Sequence, residues 1–419
     1  MFLNNISQQN LSYISVTMSY WLFMLTDGAL RIIILFNFHL LGFSPLDLAY
    51  LFLVYELMGI LTNLLAGWIA ARFGLNITLY GGLIIQICAL SLLLNLNNFD
   101  YTSSKLIFTI FVYGLSGIAK DLVKMSAKSS VKLIVNENQQ SKLFKWVSTL
   151  TGSKNAVKGL GFFLGGALMS FFNFKISIII MTLCLIILIL FLMLSKPIIQ
   201  NKKIRSKQIK LFSKSKKINY LSFSRIFLFG ARDIWFVVSL PIFLYETLRN
   251  FDITDSKAFF LVGGFLALWV IFYGITQAFT PKIINISTNN VATLIKRSKI
   301  WFLRLLFCSA IISIISFFLN DSNYYVYFLI FGLFLFGILF AVNSSLHSFF
   351  ILAFSNKINV TLDVGFYYMS NATGRFFWNI TIRSNLPIFW YSWGVILLND
   401  IHTSRVILFP KTRKLNFTI

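Results

Sequence analysis

Acidic residues and thiols are both scarce in this chain. Thirteen Asp and Glu stand against 37 Lys and Arg in 419 residues, so a cation buried in the fold finds few carboxylates to pair with. The three cysteines, Cys88, Cys184 and Cys308, lie singly in different apolar stretches. That placement offers neither a metal-ligand spacing nor an obvious disulfide, and no cofactor motif accompanies it. The N-terminal MFLNNISQQNLSY lacks a basic n-region and a small-residue cleavage site, so no signal peptide is expected. Charge itself is sparse: 12% of residues are charged and 57% are hydrophobic, with a mean hydropathy of +0.78. No soluble domain needs that much apolar surface. The net charge of +24 is therefore not read as a nucleic-acid footprint.

What is present is a succession of apolar runs of membrane-spanning length. The chain reads as an all-α polytopic membrane protein whose partner is the lipid bilayer. Eleven helices are clear, at about 13–38, 46–70, 77–95, 105 to past the lysines described below, 146–172, 174–194, 221–245, 259–279, 300–319, 324–346, and 360 to beyond Arg375. After the sixth comes KPIIQNKKIRSKQIKLFSKSKKIN, which holds nine basic residues and no acidic one between Lys196 and Asn219. Most of the surplus charge falls in loops of this parity, which places them in the cytoplasm. Six helices, a basic link and six more form the plan of two stacked repeats. The expected organisation is one bundle over 1–195, a cytoplasmic linker over 196–219, a second bundle over 220–398 and a basic tail over 399–419. The twelfth span is degenerate: only 386–398 is uninterrupted, and thirteen residues fall short of the twenty or so needed to cross.

The polar residues inside these runs carry the chemistry. Lys120, Lys124, Lys128 and Lys132 recur every four residues along the fourth helix, on one broad face. Lys154 and Lys158 repeat the spacing in the fifth, with Asn155 beside them. Asp121 is the only acid in the two helical stretches that carry the six lysines; Glu137 falls in the link between them. Ionisable groups at membrane depth are costly and mark substrate or ion paths. Counted from Trp146, Lys154 and Lys158 lie about 12 and 18 Å deep, so Lys158 is beyond comfortable snorkelling. It should face a wet cavity or pair with substrate or with an acid such as Asp121 or Glu56. Lys120 and Lys124 are placed to draw an anion in, whereas Lys128 and Lys132 are expected at or past the inner surface as a solvated basic face. Asp27 with Arg31, and Arg232 with Asp233, read either as internal ion pairs or as binding and charge-coupling groups. Gly159, Gly161, Gly165 and Gly166 read as close helix packing. An intramembrane enzyme using Asp27 or Asp233 as acid or base is the reading from another class. The neighbouring arginines would hold those acids ionised, and no nucleophile or metal motif joins them.

The loop GWIAARFGLN resembles the motif between the second and third helices of the major facilitator superfamily, with Gly67, Arg72 and Gly74 in place as a gating loop. Ala71 stands where that family carries an acid, and Leu75 and Asn76 where it carries basic residues. GFFLGG resembles the end of the antiporter motif, with Phe162 where proline is usual. YWLFMLTDGALR, SGIAKDLVKMSAKSSVKL, LTGSKNAVKGLGFFLGG, RIFLFGARDIWFVVSLPIFL and VGFYYMSNATGR resemble, more narrowly, the organoarsenical efflux permeases of that superfamily, up to about Arg375. The resemblance implies export of 1-arseno-3-phosphoglycerate, an ester made by a glyceraldehyde-3-phosphate dehydrogenase, which would be the functional partner. It also implies that the first, fourth, seventh and tenth helices line a central cavity. Buried lysines suit such an anion as point charges, whereas trivalent arsenic would want thiolates that three scattered cysteines cannot supply. Another phosphorylated metabolite or organic anion is the alternative cargo. Heavy use of Phe, Ile, Asn and Lys, as AT-rich coding produces, suggests a bacterial cytoplasmic membrane or a plastid-type membrane.

Overall fold

A computed structural model describes residues 8–42, 45–136, 138–195, 213, 215–234, 236, 240–285, 290–318 and 325–383. Among them the regular elements are all helical. They are α1 (Gln8–Leu40), α2 (Pro45–Phe73), α3 (Leu75–Leu93), α4 (Thr102–Ile134), α5 (Gln140–Phe171), α6 (Phe174–Ser195), α7 (Lys216–Ile234), α8 (Leu240–Asn250), α9 (Asp255–Ile283), α10 (Val291–Phe318), α11 (Tyr325–Phe354) and α12 (Val360–Arg383), with one 3-10 turn at Leu96–Asn98. The helix expected over 221–245 corresponds to α7 and α8; of the residues between them only Phe236 is described, and it is helical. The expected twelfth span at 386–398, the tail 399–419 and most of the linker lie outside the described residues.

Seven of these helices, α1, α3, α4, α6, α9, α10 and α11, are long and apolar enough to cross a membrane, and the chain is a multi-pass integral membrane protein. A lipid environment leaves backbone polar groups no partner but each other, which is why spanning segments are helical. α6 shows how sequence chooses its sides. Ile178, Met181, Leu185, Leu188 and Leu192 are buried, while Ile179, Leu183, Ile187, Leu190 and Leu194 on the opposite face are exposed and just as apolar. Such an outer face is stable only against lipid.

Glycines set how closely the polar helices approach. A Cβ on Gly28 of α1 would lie 2.6 Å from the Lys158 carbonyl and 3.3 Å from Gly161 Cα on α5. A Cβ on Gly152 of α5 would strike the backbone of Gly274 and Ala278 on α9. One on Gly67 of α2 would come within 3.0 Å of Gly365 Cα on α12. The last two contacts join the first six helices to the last six, and both lie toward the end of the bundle where α2, α4 and α6 finish. This end, from which the basic loops emerge, is called here the basic end.

The cores agree with that seam. One apolar cluster runs through α1–α6 and takes in Ile218 and Leu221 of α7, Leu346 and Phe349 of α11, and Val360 and Val364 of α12. A second gathers Leu228 and Phe229 of α7 with Trp269 and Tyr273 of α9, Leu305 of α10 and Phe340 of α11. At the basic end the two sets of helices thus share one core; toward the opposite end α7–α11 keep their own. Among the described residues the two sets of helices are in close contact at the basic end.

Candidate functional site

The lysine ladder of α4 does not run along a solvated face. α4 passes through the shared core, burying Met125, Ala127 and Val131, and its polar side turns toward α1, α2, α5 and α12. Lys128 and Lys132, expected beyond the inner surface, are 2% and 6% exposed. Counting depth along an isolated helix leaves out the helices packed around α4, among them α5, whose Thr151 takes Lys128.

Each charged group there has an assigned place. Lys120 Nζ donates to the Tyr55 hydroxyl and sits 3.9 Å from the centre of that ring, a cation–π contact. Tyr55 stacks on Tyr113 at 4.7 Å and its hydroxyl donates to Asp27 Oδ1 at 3.2 Å. Asp121 accepts from the Thr62 hydroxyl, from Asn63 Nδ2 at 3.0 Å and from Lys124 Nζ at 2.6 Å. Lys124 also lies 4.6 Å from the ring of Tyr368 on α12. Lys128 donates to the Thr151 hydroxyl on α5.

Lys158 pairs with Asp27 at 2.8 Å, and Asp27 is 1% exposed. This corrects the expectation that Lys158 would find Asp121 or Glu56. The Gly28–Gly161 approach brings the backbone of α5 at Lys158 against α1, so the carboxylate one residue before Gly28 is the one in reach. Asp121 is already engaged on α2 and α4. Lys154 accepts no such pairing among the described residues and lies within Coulombic range of Lys120, Lys124, Lys128 and Lys158. Asn155 Nδ2 donates to Gln277 Oε1 on α9 at 2.6 Å, a polar tie between the two sets of helices.

The other expected residues are less central. Arg31 is half-buried one turn along α1 and within Coulombic range of Asp27. Arg232 lies against Phe229 and Phe340 at 5.0 and 5.3 Å from the ring centres. The side chains of Glu56 and Asp233 lie outside the described residues. In the α2–α3 loop, Gly67 makes the close approach to α12. Gly74 adopts φ +106°, a conformation that L side chains rarely take. Arg72 is exposed and lies over Trp68 and Phe73.

One site residue stood outside the expected set altogether. Arg225 of α7 is 3% exposed, donates from Nε to Asn371 Oδ1 at 2.9 Å and stacks 3.6 Å from the centre of Phe229. It lies within Coulombic range of Lys128. An arginine in the middle of a helix, flanked by the apolar run IFLF, was the available signal. Tyr55, Thr62 and Thr151 carried none, since tyrosine and threonine are ordinary in such helices.

Among the described residues the cluster holds Lys120, Lys124, Lys128, Lys154, Lys158 and Arg225 against Asp27 and Asp121. Those two carboxylates are engaged by cations and hydroxyls. Such a site suits a ligand carrying more than one negative charge.

Comparison with known proteins fits this architecture. Two solved structures resemble the chain, both titled as a bacterial homologue of the iron transporter ferroportin in an outward-facing state. One has a TM-score of 0.75 at 14% identity, covering 96% of this chain and 98% of its own. The other, with soaked iron, has a TM-score of 0.71 at 13% identity and covers 96% and 99%. At such identities the likeness is one of fold. No curated protein sequence matches. The family model for the Major Facilitator Superfamily matches residues 14–378, nearly all of the described helices, and the chain belongs to that superfamily.

Proposed function

We propose that the protein is a secondary active transporter that exports the anionic organoarsenical 1-arseno-3-phosphoglycerate, and so protects a cell whose glyceraldehyde-3-phosphate dehydrogenase makes that ester from arsenate. The observation that carries the reading is the cluster, among the described residues, of six cations against two carboxylates at the meeting of α1, α2, α4, α5, α7 and α12. A doubly or triply charged phosphorylated acid supplies the charge this cluster is short of. The family resemblance supplies the arsenic.

The basic loops fix the orientation by the positive-inside tendency. With the basic end in the cytoplasm, the side on which the two sets of helices are in close contact faces inward, which matches the outward-facing state named for the two similar structures. The alternate state, open at the basic end, would expose Lys124 and Lys128 first, so an anion is attracted before it reaches Lys154 and Lys158. An iron cation, the metal in the titles of the two similar structures, would have to sit among six positive side chains. Cation cargo is disfavoured on that ground alone.

The test is expression in an arsenate-sensitive host with and without the dehydrogenase. Resistance should require both proteins. Equal resistance without the dehydrogenase, or protection against arsenite alone, sinks the organoarsenical cargo. Uptake of labelled 3-phosphoglycerate into arsenate-free inverted vesicles would then favour an ordinary phosphorylated anion.

A further inference from the structure

Between the Lys158–Asp27 pair and the basic end, two buried cations from opposite sets of helices lie within Coulombic range of one another. Lys128 reaches in from α4, and Arg225 from α7. Both are buried, at 2% and 3% exposure. The charges that act most on Lys128 are those of Arg225 and Lys124, both positive. Asp121, the nearest carboxylate on the same helix, is engaged with Thr62, Asn63 and Lys124.

Each cation is also fixed in orientation. Lys128 Nζ is held by the Thr151 hydroxyl. Asn371 takes Arg225 Nε, and the guanidinium plane lies over Phe229, with Tyr367 at 4.7 Å. That leaves Arg225 Nη1 buried, and it has no hydrogen-bond partner among the described residues. A buried charged donor without an acceptor is expensive. Two of like sign, held by unrelated contacts, form a half-made anion site.

We propose that Lys128, Thr151 and Arg225 form a second subsite, for a tetrahedral oxyanion of the phosphate type, that bridges the two sets of helices. The guanidinium offers a planar fork, the ammonium a point charge, and the threonine hydroxyl a further donor or acceptor. An oxyanion bound there replaces a repulsion between α4 and α7 by two attractions. It favours the conformer in which the basic end is shut, because only there do the two helices approach. The subsite deepens the reading above, on which it rests for the cargo whose phosphoryl group it would take. The charge geometry stands without that cargo.

The experiment uses the full chain in lipid nanodiscs, with inorganic phosphate as the probe and chloride at matched ionic strength as control. Phosphate should bind and should raise the melting temperature. Lys128→Gln and Arg225→Gln should each weaken binding about tenfold or more, as expected for losing one charge-assisted hydrogen bond. The double variant should lose less than the two single losses combined, because one ligand is shared. Arg225→Lys, which keeps the charge and loses the fork, should fall between the wild type and Arg225→Gln.

In phosphate-free buffer Lys128→Gln should melt higher than the wild type, since it removes a buried repulsion; a merely structural lysine would move the other way. If that variant fails to fold, Thr151→Val, which keeps both charges and removes only the hydroxyl, should still weaken phosphate binding, and unchanged binding in it would count against the subsite. A wild-type protein that does not bind phosphate overturns the proposal, as do variants that bind it equally well. A parallel titration with 3-phosphoglycerate separates a bridging phosphoryl ester from free phosphate as the natural occupant. Loss of dehydrogenase dependence in the resistance assay would remove the organoarsenical cargo and leave this subsite standing.

Discussion

Removing one partner of the Lys158–Asp27 pair should cost more than removing both. Asp27 is 1% exposed and its carboxylate receives Lys158 at 2.8 Å and the Tyr55 hydroxyl at 3.2 Å. Lys158→Ala leaves that carboxylate in place with one hydroxyl for a partner. Breaking a buried pair from one side costs about 3–5 kcal/mol, mostly from the stranded charge. Lys120 and Arg31 lie within Coulombic range and offset part of it, so the loss should fall near the low end, about 3 kcal/mol. The double variant Asp27→Asn with Lys158→Gln strands nothing, and neutral hydrogen bonding should hold its loss to about 1 kcal/mol. Unfolding in mixed micelles measures the four corners of the cycle, and vesicle uptake measures their transport. Stability should be restored in the double variant while transport is not, because the cavity has lost a cation that meets substrate. Two single losses that simply add would show that the pair is not coupled. Transport that returns with stability would reduce the pair to a brace between α1 and α5.

Gly274→Val should prevent the basic end from closing, because even a Cβ there meets the backbone of Gly152 and Ala156; a cysteine placed at Thr151 should then label from the cytoplasmic side, and unchanged labelling would contradict the proposed seal. Asp121→Asn removes the negative charge that receives Thr62, Asn63 and Lys124. It should cost about 2–3 kcal/mol in unfolding experiments, and a loss under 0.5 kcal/mol would show that these contacts are not a coupled network. Raising salt should weaken substrate capture from the basic side more than binding from the opposite side, since charges near that mouth are screened within about 8 Å at physiological ionic strength; equal salt dependence on both faces would remove the attracting role of the outer lysines.

The sequence made the helices legible, and the site only in part. Spans such as α6 and α11 declare themselves because apolar length has few other uses in a chain this poor in charge. The depth of Lys158 was readable by counting residues from Trp146. Its partner was not, since nothing local to α5 says that α1 approaches through Gly28. The same limit explains Lys128. Counting along α4 put it at the membrane surface, and only the shared core at the basic end, built from residues as distant as Phe349 and Val364, buries it.

The charge imbalance and the seam between the helix sets bear on one another. Lys128 and Arg225 belong to different sets, and so do Lys124 and its aromatic neighbour Tyr368. Closing the basic end therefore brings like charges together in a poorly solvated place, and the work of doing so opposes closure. The glycine contacts between α5 and α9 and between α2 and α12, with the shared apolar core, favour it. Neither influence depends on cargo, so together they set how evenly the empty protein is divided between its states. An anion enters that balance on one side only, because it meets both helix sets at once only when the basic end is shut. A ligand shifts an equilibrium by the difference in its affinity for the two states. For an anion caught between α4, α5 and α7 that difference is built from the very charges that resist closure without it. On the reading proposed above, the excess of lysine in the membrane makes closure depend on cargo, and a smaller excess would leave the transporter free to close empty.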